Sequence, residues 1–190
     1  MKLTEREKAI YQVTWAGSFV NFLLVVFKFI AGILGHSAAM IADAVHSLSD
    51  FATDIVVLIF TRISNKPQDK NHDYGHGKYE TLATAIIGIV LFAVGAGICW
   101  NGLRAIQTVW QGGRLPVPGM LAFAGAIISI VSKELIYRYT IHVGRKINSS
   151  AVIANAWHHR SDAFSSIGTA MGIGGAIALG ESWSVLDPMA

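Results

Sequence analysis

Polar positions in this chain are islands inside long apolar runs, and the runs have membrane length. A span of about 20 apolar residues crosses the hydrocarbon core of a bilayer. Five segments reach that length, roughly 10–34, 38–62, 80–108, 117–142 and 150–179. Gly35-His36-Ser37 predicts a tight turn between the first two, and a polar stretch from Ser64 to Lys78 separates the second from the third. Gly112-Gly113-Arg114-Leu115-Pro116 breaks the third from the fourth, and Gly144 to Ser149 the fourth from the fifth. The pattern predicts an all-α membrane protein, a transmembrane helix bundle. Thr4 and Glu7 stand at capping-box spacing ahead of the first span. Asp187-Pro188 reads as the opening of a sixth helix cut at its start, because proline fits the first helical turn.

Composition agrees. Of the 190 residues, 53% are hydrophobic and 14% charged, where soluble domains carry about 25% charged residues. The net charge of +3 does not imply a nucleic-acid partner, because the basic residues sit in short connections between apolar runs. One side collects Lys2, Arg6, Lys8, Arg62, Lys66, Lys70, Lys78, Arg138, Arg145 and Lys146, and the other holds little beyond Arg114, with Arg104 near the edge. By the positive-inside rule the N-terminus is cytoplasmic, as expected for an integral protein of the cell (inner) membrane. The first eight residues are mixed in sign and the apolar run behind them is too long for a signal peptide. Cys99, the one cysteine, lies in an apolar run and reads as a small buried hydrophobe.

Against this background one seven-residue pattern occurs twice. Ala44-Val45-His46-Ser47-Leu48-Ser49-Asp50 and Ala156-Trp157-His158-His159-Arg160-Ser161-Asp162 both read A-x-H-x-x-S-D. Helical residues four apart share a face, so each copy offers an imidazole beside a carboxylate. Two such helices face to face supply two nitrogens and two oxygens, a tetrahedral shell suited to zinc. Ionisable groups in membrane helices are costly and mark functional sites by default. The stripe on the second helix is Asp43, His46, Asp50 and Asp54, bordered by Ser47 and Thr53. On the fifth it is Asn155, His158, Asp162, Ser166 and Thr169. Asp43 and Asp54, near opposite ends of their helix where water reaches, read as proton-path or access-path carboxylates, and Asn155 as an orienting neighbour of a ligand. His159 and Arg160 point elsewhere, toward a headgroup or intersubunit contact. The first helix adds Asn21 and Lys28, the latter a snorkelling or paired cation rather than a ligand.

The connection before the third span is itself rich in ligands. Asp69, His72 and His76 have D-x-x-H-x-x-x-H spacing, enough for three ligands and a water. Loops also collect such residues for solubility, but Gly75 and Gly77 flanking His76 imply a closely packed turn.

Three motifs, A-D-A-V-H-S-L-S-D (42–50), Y-G-H-G-K-Y-E (74–80) and A-W-H-H-R-S-D-A (156–163), together resemble the cation diffusion facilitator family of metal-ion transporters. The resemblance runs over essentially the whole chain. It implies six transmembrane helices, a cytoplasmic C-terminal domain, a homodimer, and exchange of a cytosolic divalent metal for protons. Residues 1–190 then form the transmembrane cation-efflux domain, with the C-terminal domain absent. Carried over by motif, the transport site is His46, Asp50, His158 and Asp162, and a second, cytoplasmic-loop site is Asp69, His72 and His76.

The residues also fit such a mechanism on chemical grounds. Imidazole and carboxylate bind metal only when deprotonated, so metal and protons compete, and a histidine places that competition near neutral pH. The mixed nitrogen and oxygen shell favours Zn2+, with Cd2+, Fe2+, Co2+, Ni2+ and Mn2+ open because geometry and availability settle selectivity. Mg2+ and Ca2+ prefer all-oxygen shells. The expectation is a secondary transporter with no cofactor, exporting metal by alternating access, and not an enzyme. Two alternatives stand beside it. An intramembrane zinc hydrolase needs an open metal position and a general base, and the chain has no H-E-x-x-H. A non-transporting assembly subunit would use the polar stripes to hold helices together; Asp50→Ala or Asp162→Ala would then cost the fold rather than the flux.

Overall fold

The computed structural model describes residues 5–64 and 78–190. Five long helices carry the chain: α1 (Glu5–Leu34), α2 (Ala38–Ser64), α3 (Lys78–Trp110), α4 (Met120–Lys146) and α5 (Ser150–Leu179). A short 3-10 turn (Glu181–Trp183) and a four-residue helix, α6 (Leu186–Met189), follow. The shortest of the five has 27 residues, about 40 Å at 1.5 Å per residue, enough to cross a bilayer. α1, α3, α4 and α5 are also apolar enough to do so. The protein is an integral membrane helix bundle. α2 has the length but carries the acidic stripe.

The helix boundaries differ from the sequence expectation at α1, which already begins at Glu5, and at α4. The latter starts at Met120 and not near 117, because Pro116 and Pro118 hold the preceding residues extended, and it runs on to Lys146. The α1–α2 turn is tight, as expected: Gly35 N–H donates to Ala31 O at 2.8 Å and Ser37 N–H to Gly32 O at 3.0 Å. His36 takes a left-handed φ of 49° in it.

Packing defines an inner group and an outer helix. α4 pairs most extensively with α5, α1 packs on both α4 and α2, and α2 meets α5 across the group. α3 lies outside and packs chiefly on α2. The larger core cluster sets five alanines, Ala31, Ala39, Ala122, Ala126 and Ala170, around Met40 and Ile173. Small residues let helices approach closely where lipid offers no hydrophobic drive to associate. Gly35 marks a close approach of the α1 end to α4, since a Cβ there would lie 2.7 Å from Ala122 Cβ and 2.8 Å from its backbone nitrogen. Cys99 is exposed on α3, contrary to the buried position expected of it. α3 keeps most of its surface outside the bundle, so its apolar residues face outward, toward lipid.

At the end where α2 begins, the chain ties back on itself. Ser37 Oγ donates to Asp187 Oδ1 at 2.6 Å, and the Ala38 N–H donates to Asp187 Oδ2 at 2.7 Å. A carboxylate from the end of the chain thus caps the N-terminus of α2, where free N–H groups and the helix dipole favour an anion.

Candidate metal-transport site

α2 and α5 bring their twinned motifs together inside the inner group. One ligand atom each from His46, Asp50 and Asp162 lies within 4.8 Å of the others. Within each helix the i, i+4 pairing expected from the motif is present. His46 Nε2 is 3.7 Å from Asp50 Oδ2, and His158 Nδ1 is 3.8 Å from Asp162 Oδ1. Asp162 is buried, Asp50 half-buried, and the two imidazoles are the more open members, with 43% and 48% of the His46 and His158 side chains exposed. His158 stands outside the tight three-atom cluster. It nonetheless lines the same small cavity as Asp50 and Asp162.

Members of this cluster line two separate cavities. One of about 620 Å³ is largely apolar and reaches His46 from the end marked by His36, Leu115, Pro116 and Asp187. The other, about 30 Å³, is lined by Asp50, His158 and Asp162 together with Ser18, Asn21, Ser47 and Lys133. Of the cluster, His46 lines the first and Asp50 and Asp162 the second.

The remaining sequence expectations are placed as follows. Asp43 is buried. Its Oδ2 lies 2.7 Å from Lys28 Nζ, and Ser166 Oγ donates to the same carboxylate at 3.2 Å. Lys28 is wholly buried, donating also to Ser47 Oγ at 3.0 Å, so it is a paired cation and does not snorkel. Asp43 is therefore the partner of a buried ammonium, and it also lines the larger cavity. Asp54 lies on helical α2, its side chain outside the described residues. Asn155 places its amide nitrogen 3.4 Å from His159 Nε2, not beside His158. His159 overturns another expectation. It is 3% exposed and packs against Gly17 of α1 rather than facing a headgroup or a second subunit. Arg160 stacks on the Tyr137 ring at 4.7 Å and donates to its hydroxyl at 3.2 Å. Asp69, His72 and His76 lie outside the described residues.

One charged neighbour of the cluster escaped the sequence reading. Lys133 Nζ of α4 lies 3.3 Å from Asp162 Oδ2, both buried. The available signal was a lysine in the middle of an apolar helix, on a stripe with Ser129, Tyr137 and Thr140 that is buried throughout.

Comparison with known proteins decides the family. Residues 14–190 match the family model described as the cation efflux transmembrane domain. The chain belongs to the cation diffusion facilitator family. It is 40% identical over 185 residues to the manganese efflux system protein MneP of Bacillus subtilis, covering 96% of this chain and 60% of that one. It is 36% identical over 166 residues to the magnetosome protein MamB of a Magnetospira species, covering 87% and 55%. Metal tolerance protein C1 of Arabidopsis thaliana is 42% identical over 178 residues, covering 88% and 37%. The chain thus spans about half the length of such relatives. Family members of this kind move metal ions and are not enzymes.

Proposed function

We propose that this protein exports divalent transition-metal ions from the cytoplasm in exchange for protons, with His46, Asp50, His158 and Asp162 as the transport site. The observation that carries the reading is the convergence of His46, Asp50 and Asp162 ligand atoms within 4.8 Å, on two helices whose members line two cavities. A site on the divide between two helices opens to either side by rocking of the helices, which is the requirement for alternating access. The large cavity reaches it from the end poor in Lys and Arg, the side the positive-inside rule assigns to the exterior. Metal binding needs deprotonated ligands, so protons entering from that side expel the ion there. The N-terminus is cytoplasmic on the same rule, and the membrane is the cell membrane. A homodimer is the assembly the family resemblance implies.

Zn2+ is the leading cargo, because two imidazoles and two carboxylates make a tetrahedral nitrogen and oxygen shell. Mn2+ is the second, favoured by the close cluster of two carboxylates with a single imidazole and by the 40% identity to a protein named for manganese efflux. The test is uptake into proteoliposomes containing the purified chain, with Zn2+, Mn2+, Fe2+, Co2+, Ni2+ and Cd2+ in competition. An imposed pH gradient should drive flux, a protonophore should collapse it, and Asp50→Asn or Asp162→Asn should abolish it while the protein stays folded. Flux indifferent to the gradient would replace antiport with uniport, and flux surviving both substitutions would remove these residues from the site.

A further inference from the structure

Lys133 is the member of this centre that the ligand set leaves unexplained. It sits in the middle of α4 and is 3% exposed. Its Nζ is 3.3 Å from Asp162 Oδ2, yet it makes no hydrogen bond among the described residues. Lys28, one layer away, shows how a permanently placed ammonium is held here. It has Asp43 at 2.7 Å, Ser47 at 3.0 Å and Ser166 at 3.5 Å. Lys28 is fixed by three partners, whereas Lys133 is held by charge alone and can leave without breaking a hydrogen bond.

The space around it matters as much. Lys133, Asp50, His158 and Asp162 line one cavity of about 30 Å³, with Ser18 and Asn21 of α1 on its wall. That volume holds about one water. A partly dehydrated metal ion and the ammonium therefore contend for the same space and the same carboxylate. Both are cations, so they cannot share Asp162 without strong repulsion in a site with little water.

We propose that Lys133 is a tethered competitor for the transport site. Its ammonium neutralises Asp162 when no metal is bound, and it moves toward Ser18 and Asn21 when a divalent ion takes that carboxylate. The site's affinity is then the outcome of a displacement, and the returning ammonium helps to release the ion. This rests on the transport-site reading above.

The test is isothermal titration of Zn2+ and of Mn2+ into the purified full chain in detergent micelles, with thermal melts alongside. Lys133→Met should bind both ions roughly tenfold or more tightly than wild type, the direction expected when a like charge beside a buried cation is deleted. Lys133→Gln, which keeps a donor for Asp162, should also tighten binding, and Lys133→Arg, which keeps the charge, should bring affinity back toward the wild-type value. Tighter binding should be accompanied by slower metal release from loaded micelles into chelator. Unchanged or weaker binding in a folded Met or Gln variant overturns the proposal. Failure of both neutral variants to fold overturns it as well, since Lys133 would then be an obligatory structural counter-ion. If wild type itself binds neither ion, the transport-site reading fails; if wild type binds and the neutral variants bind no better, only the competitor fails.

Discussion

Lys28 and Asp43 illustrate how a charge can be carried into a membrane helix without being part of a ligand set. Both side chains are almost fully buried and their closest atoms are 2.7 Å apart. Removing one partner of such a pair leaves an uncompensated buried charge and costs about 3–5 kcal/mol. Asp43→Asn should therefore lower the melting temperature strongly in a thermal melt, and adding Lys28→Met should recover most of the loss; equal destabilisation by the double variant would mean that packing, not charge, is at stake. His46 is a different case, a half-exposed imidazole on an otherwise acidic stripe. His46→Asp replaces a borderline nitrogen donor with a harder oxygen and should move the preference from Zn2+ toward Mn2+ and Fe2+. Competitive uptake reads this directly, and an unchanged order would place selectivity in helix packing. At this scale the sequence was most legible where chemistry is local. The i, i+4 pairs His46–Asp50 and His158–Asp162 follow from helical spacing alone. The partners from other helices, Lys28 for Asp43 and Lys133 for Asp162, depend on how α1 and α4 cross α2 and α5, which spacing within one segment does not encode. Helical spacing likewise favours His158 over its neighbour His159 as a ligand, yet it is the angle of α5 against α1 and α4 that decides which of the two rings is buried.

Helices in this bundle are held by small contacts at few places. A Cβ on Gly35 would meet Ala31 O at 2.5 Å and Ala122 Cβ at 2.7 Å, so α1 and α4 must separate to admit it. Gly88 of α3 has nothing within 4 Å of the same position. Gly35→Ala should destabilise by about 1–3 kcal/mol, the usual cost of overpacking, while Gly88→Ala should be neutral or slightly stabilising through helix propensity. Melts of the two variants side by side check this, and equal behaviour would show that the approach at Gly35 relaxes freely. Helix existence was readable from the apolar runs because a bilayer leaves few other ways to satisfy backbone polar groups. Helix pairing was not: α3 is the most apolar in appearance and the least embedded in the group, since an apolar surface facing lipid and one facing protein read alike.

For the molecule as a transporter, the two proposed metal sites should contribute unequally. The Asp69, His72 and His76 set belongs to a connection on the side assigned to the cytoplasm, and a three-ligand site there must order its residues at an entropic cost. His72→Ala with His76→Ala should slow flux or weaken apparent affinity in proteoliposomes without abolishing it; complete loss in a folded double variant would make the connection an obligatory waypoint.

The Lys28–Asp43 pair also bears on how the protein is made. Synthesis delivers α1 and α2 to the membrane long before α4 and α5 exist, because chains emerge N-terminus first at about 5–20 residues per second. α2 arrives with Asp43, His46 and Asp50 and without the helices that later surround them. Lys28 lies within the apolar part of the helix already inserted, and its pairing with Asp43 at 2.7 Å joins the first two helices directly. The two can enter the bilayer as a hairpin with one of its acidic charges already cancelled. A pair that contributes no ligand to the proposed transport site thus eases the earliest step of assembly, when the acidic helix is most exposed to lipid.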